Sequence, residues 1–230
     1  MKRDIISIEG LETKSIIAIL DLAGEIKSDQ AKYGDALKGK SIGLIFQKPS
    51  NRTRVSFEIG MVQLGGNAIY LGPDEIAMGK RESVKDVAAV LSRYLDGIVA
   101  RTYKHEDVCQ LARYATVPVI NGLSDRAHPC QGLSDIFTIK EKFGSFKNIT
   151  LAYVGDGNNV LNSLMCAAAK VGLDIKIAAP KGYEPSKELL ETAKAIAVSS
   201  GSAVDLTNDP RIAVAGADII YTDVWVSMGQ

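Results

Sequence analysis

The stretch "FQKPSNRTRVSFE", Phe46 to Glu58, decides how the chain is read. Ahead of it the apolar run "SIGLIF" (Ser41 to Phe46) reads as a strand. After Lys48, Pro49, Ser50, Asn51, Arg52, Thr53 and Arg54, apolar residues return three or four apart, the spacing of a helix. A strand-to-helix turn needs only Pro, Ser or Asn. This one also carries three positive charges and three small polar side chains. The N–H groups of a first helical turn have no intrahelical partner and favour an anion beyond the terminus. Ser50 and Thr53 add hydroxyls, and Arg52 adds a planar fork suited to phosphate oxygens. The turn therefore reads as a grip for a doubly charged phosphate group, with Arg54 free to anchor a neighbouring carboxylate. The same residues also fit an ordinary N-cap by Ser50 or Asn51 with solvated arginines.

Working outward, short β-rich runs alternate with helical patterns. Strands are expected at 41–46, 67–71, 97–101, 117–121, 149–155, 175–179, 203–207 and 218–224, with a leading helix over Lys14 to Ile26. Such alternation implies βαβ units around mostly parallel sheets. The expected fold class is α/β with two parallel-sheet domains. The first covers 1–134, an interdomain helix covers 135–145 and ends near "FGSFKN", and a second, Rossmann-like domain covers 146–230. The chain stops at "DVWVSMGQ", directly after a strand-like run, so the second domain is read as truncated.

The totals agree with a globular protein: 230 residues, 46% hydrophobic and 23% charged. A formal net charge of zero gives no reason to expect nucleic acid or a membrane surface as partner, so any anion site is local. Three scattered cysteines, Cys109, Cys130 and Cys166, show neither pairing nor metal-ligand spacing. They fit reduced thiols and a cytoplasmic location. No stretch of "MKRDIISIEG" is apolar enough for a signal peptide, and no run approaches a membrane span.

In open α/β sheets, ligands lie at the carboxyl ends of strands. Five unusual clusters fall there: "KPSNRTR", "ART", "SDRAHPCQ", "GDGNN" and "DVWVSMG". "HPCQ", His128 to Gln131, opens a helix with Pro129 at its favoured first-turn position. It is either a helix start that happens to contain His, or a pair of side chains that hydrogen-bond a carbonyl or amide. Arg101 is a surface charge or a site cation. Asn158 or Asn159 binds a ligand or caps the next helix. Asp223 offers a carboxylate to an amine, or sits in a turn beside a buried Trp225. "GDALKGKS", Gly34 to Ser41, matches a phosphate-binding-loop pattern in letters only. That loop must follow a strand and open a helix, and here the order is reversed.

In this order the clusters resemble the aspartate/ornithine carbamoyltransferase family, and the match runs over nearly the whole chain. "KPSNRTRVSFE" resembles the family's S-T-R-T-R carbamoyl-phosphate signature, with Asn51 where Thr is common. "HPCQ" resembles H-P-x-Q, "ART" carries the expected arginine, and "GDGNN" and "DVWVSMGQ" resemble the ornithine-specific segments. Two departures stand out. Ala77 occupies a position where the family often has Gln in a loop reaching a neighbouring subunit, with Lys80 or Arg81 nearby. The later H-C-L-P segment, a further arginine and the closing helices are not in the chain.

The resemblance implies carbamoyl transfer from carbamoyl phosphate to the δ-amine of L-ornithine, within arginine metabolism. Ser50, Asn51, Arg52, Thr53, Arg101, His128 and Gln131 would bind carbamoyl phosphate. Asn159, Asp223, Ser227 and Met228 would bind ornithine. Arg52, Arg101, His128 and Asp223 would carry the catalysis. It further implies a homotrimer and no metal or organic cofactor. Two other readings stand beside it. One is a carbamoyltransferase for aspartate, putrescine or a modified ornithine. The other is an inactive truncated relative that only binds ligand.

Overall fold

Buried positions alternate along the first strands and lie on both faces. Ile42, Leu44 and Phe46 face one apolar cluster with Val99 and Ile120, while Ile45 faces another with Ile98, Ala100, Val108 and Leu111. With a side-chain period of two, a strand buried on both faces belongs to a sheet covered by helices on both sides. The computed structural model describes residues 2–79 and 81–224 and has this architecture twice.

In chain order the elements are α1 (Thr13–Ser28), β1 (Ser41–Phe46), α2 (Asn51–Gln63), β2 (Asn67–Leu71), α3 (Pro73–Ile76), α4 (Val84–Leu91), β3 (Gly97–Arg101), α5 (His105–Tyr114), β4 (Val119–Leu123), α6 (Pro129–Phe143), β5 (Thr150–Val154), α7 (Asn159–Val171), β6 (Asp174–Ala178), α8 (Lys187–Ser200), β7 (Val204–Thr207), α9 (Pro210–Val214) and β8 (Ile219–Tyr221). Two parallel four-stranded sheets result, ordered β2-β1-β3-β4 and β7-β6-β5-β8. The fold is therefore the expected α/β pair of parallel sheets.

The chain divides into two compact units. One is Met1–Ile6 with Ala18–Asp125, the other Ser7–Ile17 with Arg126–Gln230. Hydrogen bonds explain the exchange of the N-terminal segments. Ile5 N donates to Val119 O at 2.9 Å and Ile5 O accepts from Asn121 N at 2.7 Å, adding one rung beside β4. In the other unit, Lys170 Nζ donates to Leu11 O at 2.6 Å and Arg126 pairs with Glu9 at 3.5 Å.

β4 begins two residues later than the sequence suggests. Pro118 has no N–H, so it cannot enter the ladder as a donor, and only its carbonyl accepts from Ile98 at 2.9 Å. α7 is buried over almost its whole circumference, from Val160 to Ala169, because α6, α8 and β6 surround it. Gly132 allows α6 to approach it; an added Cβ would lie 3.1 Å from the Ser163 carbonyl carbon. Among the described residues no helix is long and apolar enough to cross a membrane.

Candidate active site

Both sheets have a switch point, where consecutive connections leave in opposite directions and open a crevice at the strand ends. In the first unit it lies between β1 and β3, in the second between β5 and β8. Among the described residues, the sequence-derived site residues lie at the end of β3 and on the segments that follow β1, β4, β5 and β8.

In the first unit β1 runs directly into α2. Ser50 is the N-cap: its Oγ accepts from Thr53 N at 3.4 Å and donates to Thr53 Oγ1 at 3.1 Å. Asn51 and Arg52 occupy the first two helical positions, where backbone N–H groups lack intrahelical partners. Arg54 turns away from this terminus. Its Nε donates to Glu58 at 2.9 Å and its guanidinium lies 3.8 Å from the Tyr70 ring centroid. Lys48 Nζ stands 4.6 Å from the Tyr103 ring centroid.

Arg101 closes β3. A register shift between Ala100 and Arg101 sets Asn121 opposite the first and Leu123 opposite the second, and such bulges re-aim a side chain. Arg101 is only 4% exposed and its buried Nε has no hydrogen-bond partner. Burial lowers the pKa of its guanidinium, and the positive charge of Arg52 lowers it further. Among the described residues no carboxylate forms an ion pair with Arg101. A buried cation of this kind is costly unless an anion meets it. Ser50, Asn51, Arg52, Thr53 and Arg101 thus lie at the carboxyl ends of the neighbouring strands β1 and β3, with Arg52 close enough to bear on Arg101.

In the second unit His128 is the N-cap residue of α6, and its backbone N donates to Ser163 Oγ at 2.8 Å. Gln131 lies one turn on, with Nε2 donating to Asp135 Oδ1 at 2.8 Å. At the ends of β5 and β8, Asn158 takes the capping role that "GDGNN" offered. Its Oδ1 accepts from Val160 N and Leu161 N, capping α7, while its Nδ2 donates to Asp223 Oδ2 at 2.8 Å. Asn159 is the first residue of α7. Gly157 is required in this turn, since an added Cβ would lie 2.2 Å from Pro185 N. A cavity of about 530 Å³ at the same strand ends is lined by apolar groups together with Asp156, Asn208, Thr222 and Asp223. Ser227, Met228 and Trp225 lie outside the described residues, as does Lys80.

Residues 3–141 match the family described as "Aspartate/ornithine carbamoyltransferase, carbamoyl-P binding domain", and residues 147–230 match its "Asp/Orn binding domain". The chain belongs to the aspartate/ornithine carbamoyltransferase family. Among curated members, the ornithine carbamoyltransferase of Bacillus thuringiensis subsp. konkukian is 51% identical over 228 residues, 99% of this chain and 72% of its own length. The catabolic ornithine carbamoyltransferase of Thermoplasma acidophilum is 49% identical over 229 residues, 100% of this chain and 75% of its own length. Among solved carbamoyltransferase structures, that from Pyrococcus furiosus superposes with a TM-score of 0.96 at 50% identity, covering 99% of this chain and 74% of the other.

Against this carbamoyltransferase frame, sequence reasoning missed Asp135, Tyr221 and the positioning role of Asn158. "SDIFTIKEKF" shows only helical periodicity, and nothing in it announces that Asp135 faces Tyr221 across 86 positions of sequence. Ala77 adopts a left-handed conformation (φ 40°) as the C-cap of α3. Arg81 pairs with Glu82 at 3.2 Å. The "GDALKGKS" segment is a turn leading into β1, as its reversed order requires.

Proposed function

We propose that the chain transfers the carbamoyl group of carbamoyl phosphate to the δ-amine of L-ornithine, giving citrulline and phosphate. The observation that carries this reading is Arg101, buried and unpartnered at Nε, beside Arg52 at the N-terminus of α2. The relatives' names supply the acceptor. Ser50, Asn51, Arg52 and Thr53 hold the phosphate, with Arg101, and His128 and Gln131 engage the carbamoyl group. Negative charge builds on the carbonyl oxygen and the departing phosphate as the amine attacks, and preformed donors aimed at those atoms lower the barrier. Holding both substrates in line removes entropic cost, which is worth roughly 7–11 kcal/mol in well-oriented cases.

The nucleophile is a neutral amine, whereas an alkyl amine in water has a pKa of about 10.4. Desolvation and neighbouring cations lower that value. Asp223, held by Asn158, orients the amine, while Asn159, Ser227 and Met228 bind ornithine's α-amino and carboxylate ends. A cytoplasmic location fits the three free thiols. Assembly as a homotrimer fits Val55, Ile59 and Val62, spaced on one face of α2 and left 54%, 49% and 64% exposed.

The test is product formation with each acceptor in turn. Citrulline is expected from L-ornithine and no carbamoylated product from L-aspartate or putrescine; the reverse preference refutes the acceptor assignment. A chain that binds carbamoyl phosphate but makes no citrulline is the ligand-binding relative instead. Arg52→Ala is expected to weaken carbamoyl phosphate affinity by roughly 10- to 100-fold, the worth of one charge-assisted contact. Unchanged affinity moves the phosphate site elsewhere.

A further inference from the structure

We propose that Asp135 is a positioning residue that fixes the amide of Gln131, so that Gln131 presents an oxygen, and not an NH2 group, to the carbamoyl group. This rests on the carbamoyltransferase reading above. Gln131 and Asp135 are four apart on α6 and therefore share a face. Gln131 Nε2 donates to Asp135 Oδ1 at 2.8 Å. Tyr221 Oη donates to Asp135 Oδ2 at 3.1 Å. A carboxylate only accepts, whereas a Gln side chain has one accepting and one donating end. That bond turns the Nε2 end of the amide toward Asp135, so Oε1 is the end that faces the other way.

The carbamoyl group carries an NH2 that can donate to such an oxygen. Inorganic phosphate carries none. Asp135 thereby lets Gln131 distinguish carbamoyl phosphate from the phosphate it becomes. Its carboxylate is itself held in place. The Tyr221 ring stacks on Tyr153 with centroids 5.7 Å apart, and Tyr153 Oη donates to Asp156 O at 3.0 Å. Burial raises the carboxyl's pKa above its ordinary value, and the nearby negative charge of Asp223 adds to this. A neutral isostere therefore does not harm the fold on electrostatic grounds.

The test compares binding of carbamoyl phosphate and of inorganic phosphate by calorimetry, alongside thermal melts. Asp135→Asn keeps the shape but lets either end of the Gln131 amide face residue 135. It is expected to weaken carbamoyl phosphate binding by about tenfold, the worth of one net hydrogen bond, with phosphate affinity and Tm unchanged or raised. Gln131→Ala is expected to show the same split, and adding Asp135→Asn to Gln131→Ala is expected to cost nothing more. Equal loss for both ligands, an undiminished loss in the Gln131→Ala background, or no split in Gln131→Ala alone overturns the proposal. Should Asp135→Asn fail to melt cooperatively, the Gln131→Ala comparison still decides. A wild-type chain that binds no carbamoyl phosphate overturns both this proposal and the reading beneath it, whereas wild-type binding with an unaffected Asp135→Asn overturns the role of Asp135 alone.

Discussion

Arg101 is a cation held where water hardly reaches it, close enough to feel the positive charges of Arg52 and Lys48. Folding bears that cost, and an anion bound there would recover it. Arg101→Met therefore separates stability from function. Removing an uncompensated buried charge is expected to raise unfolding free energy by about 1 kcal/mol or more, while phosphate no longer raises the Tm as it does for the native chain. Thermal melts with and without phosphate check both halves; a destabilised variant that still responds to phosphate refutes the assignment. That Ser50 to Thr53 gather at one helix terminus was legible in the sequence, because they stand together in the chain. Their roles were less so. That Ser50 caps α2 could not be told from its letter, and the structure shows the cap, with Thr53 as donor and acceptor partner. The inertness of the thiols was also invisible: burial pushes Cys130 and Cys166 up to about 12, so neither is a thiolate at neutral pH.

At the level of elements, periodicity located every strand, since each is a short apolar run bounded by turn residues. It erred where one residue overrides the pattern, as Pro118 does at the start of β4, and it passed over α3 and α9, which are too short to show a period. The turn after β5 shows what composition hides. Gly157 looked like part of a generic glycine-rich loop, yet its Cα packs against the backbone at Glu184 and Pro185, where an added Cβ would lie 2.5 Å and 2.2 Å from the nearest atoms. Backbone does not move aside as a flexible side chain does. Gly157→Ala is expected to cost about 1–3 kcal/mol, as overpacking of a close site does. It should also displace Asn158 and with it Asp223, so that ornithine use falls by more than carbamoyl phosphate binding does. Urea melts and the two affinities measure this. A variant of native stability with native ornithine use would mean that the loop from Glu184 to Pro185 yields freely.

For the whole molecule, the surface of α2 is the informative feature. Its first turn follows the carboxyl end of β1, while Val55, Ile59 and Val62 recur along one face and Ile69 on the edge strand β2 is 50% exposed. Single exposed apolar residues are ordinary, but a stripe with helical spacing marks a surface that another surface covers. Sequence periodicity could not separate this stripe from a core-facing one, because both repeat every three or four residues. In the proposed homotrimer the stripe lies under a neighbouring subunit, which joins the phosphate-binding helix to assembly. Replacing both Val55 and Val62 with Lys leaves the buried face of α2 untouched, so each chain should retain its fold. The expected result by light scattering is a shift from three chains to one, with a cooperative melt preserved. Unchanged mass would remove α2 from the interface, and a native chain that runs as a monomer would remove the trimer itself.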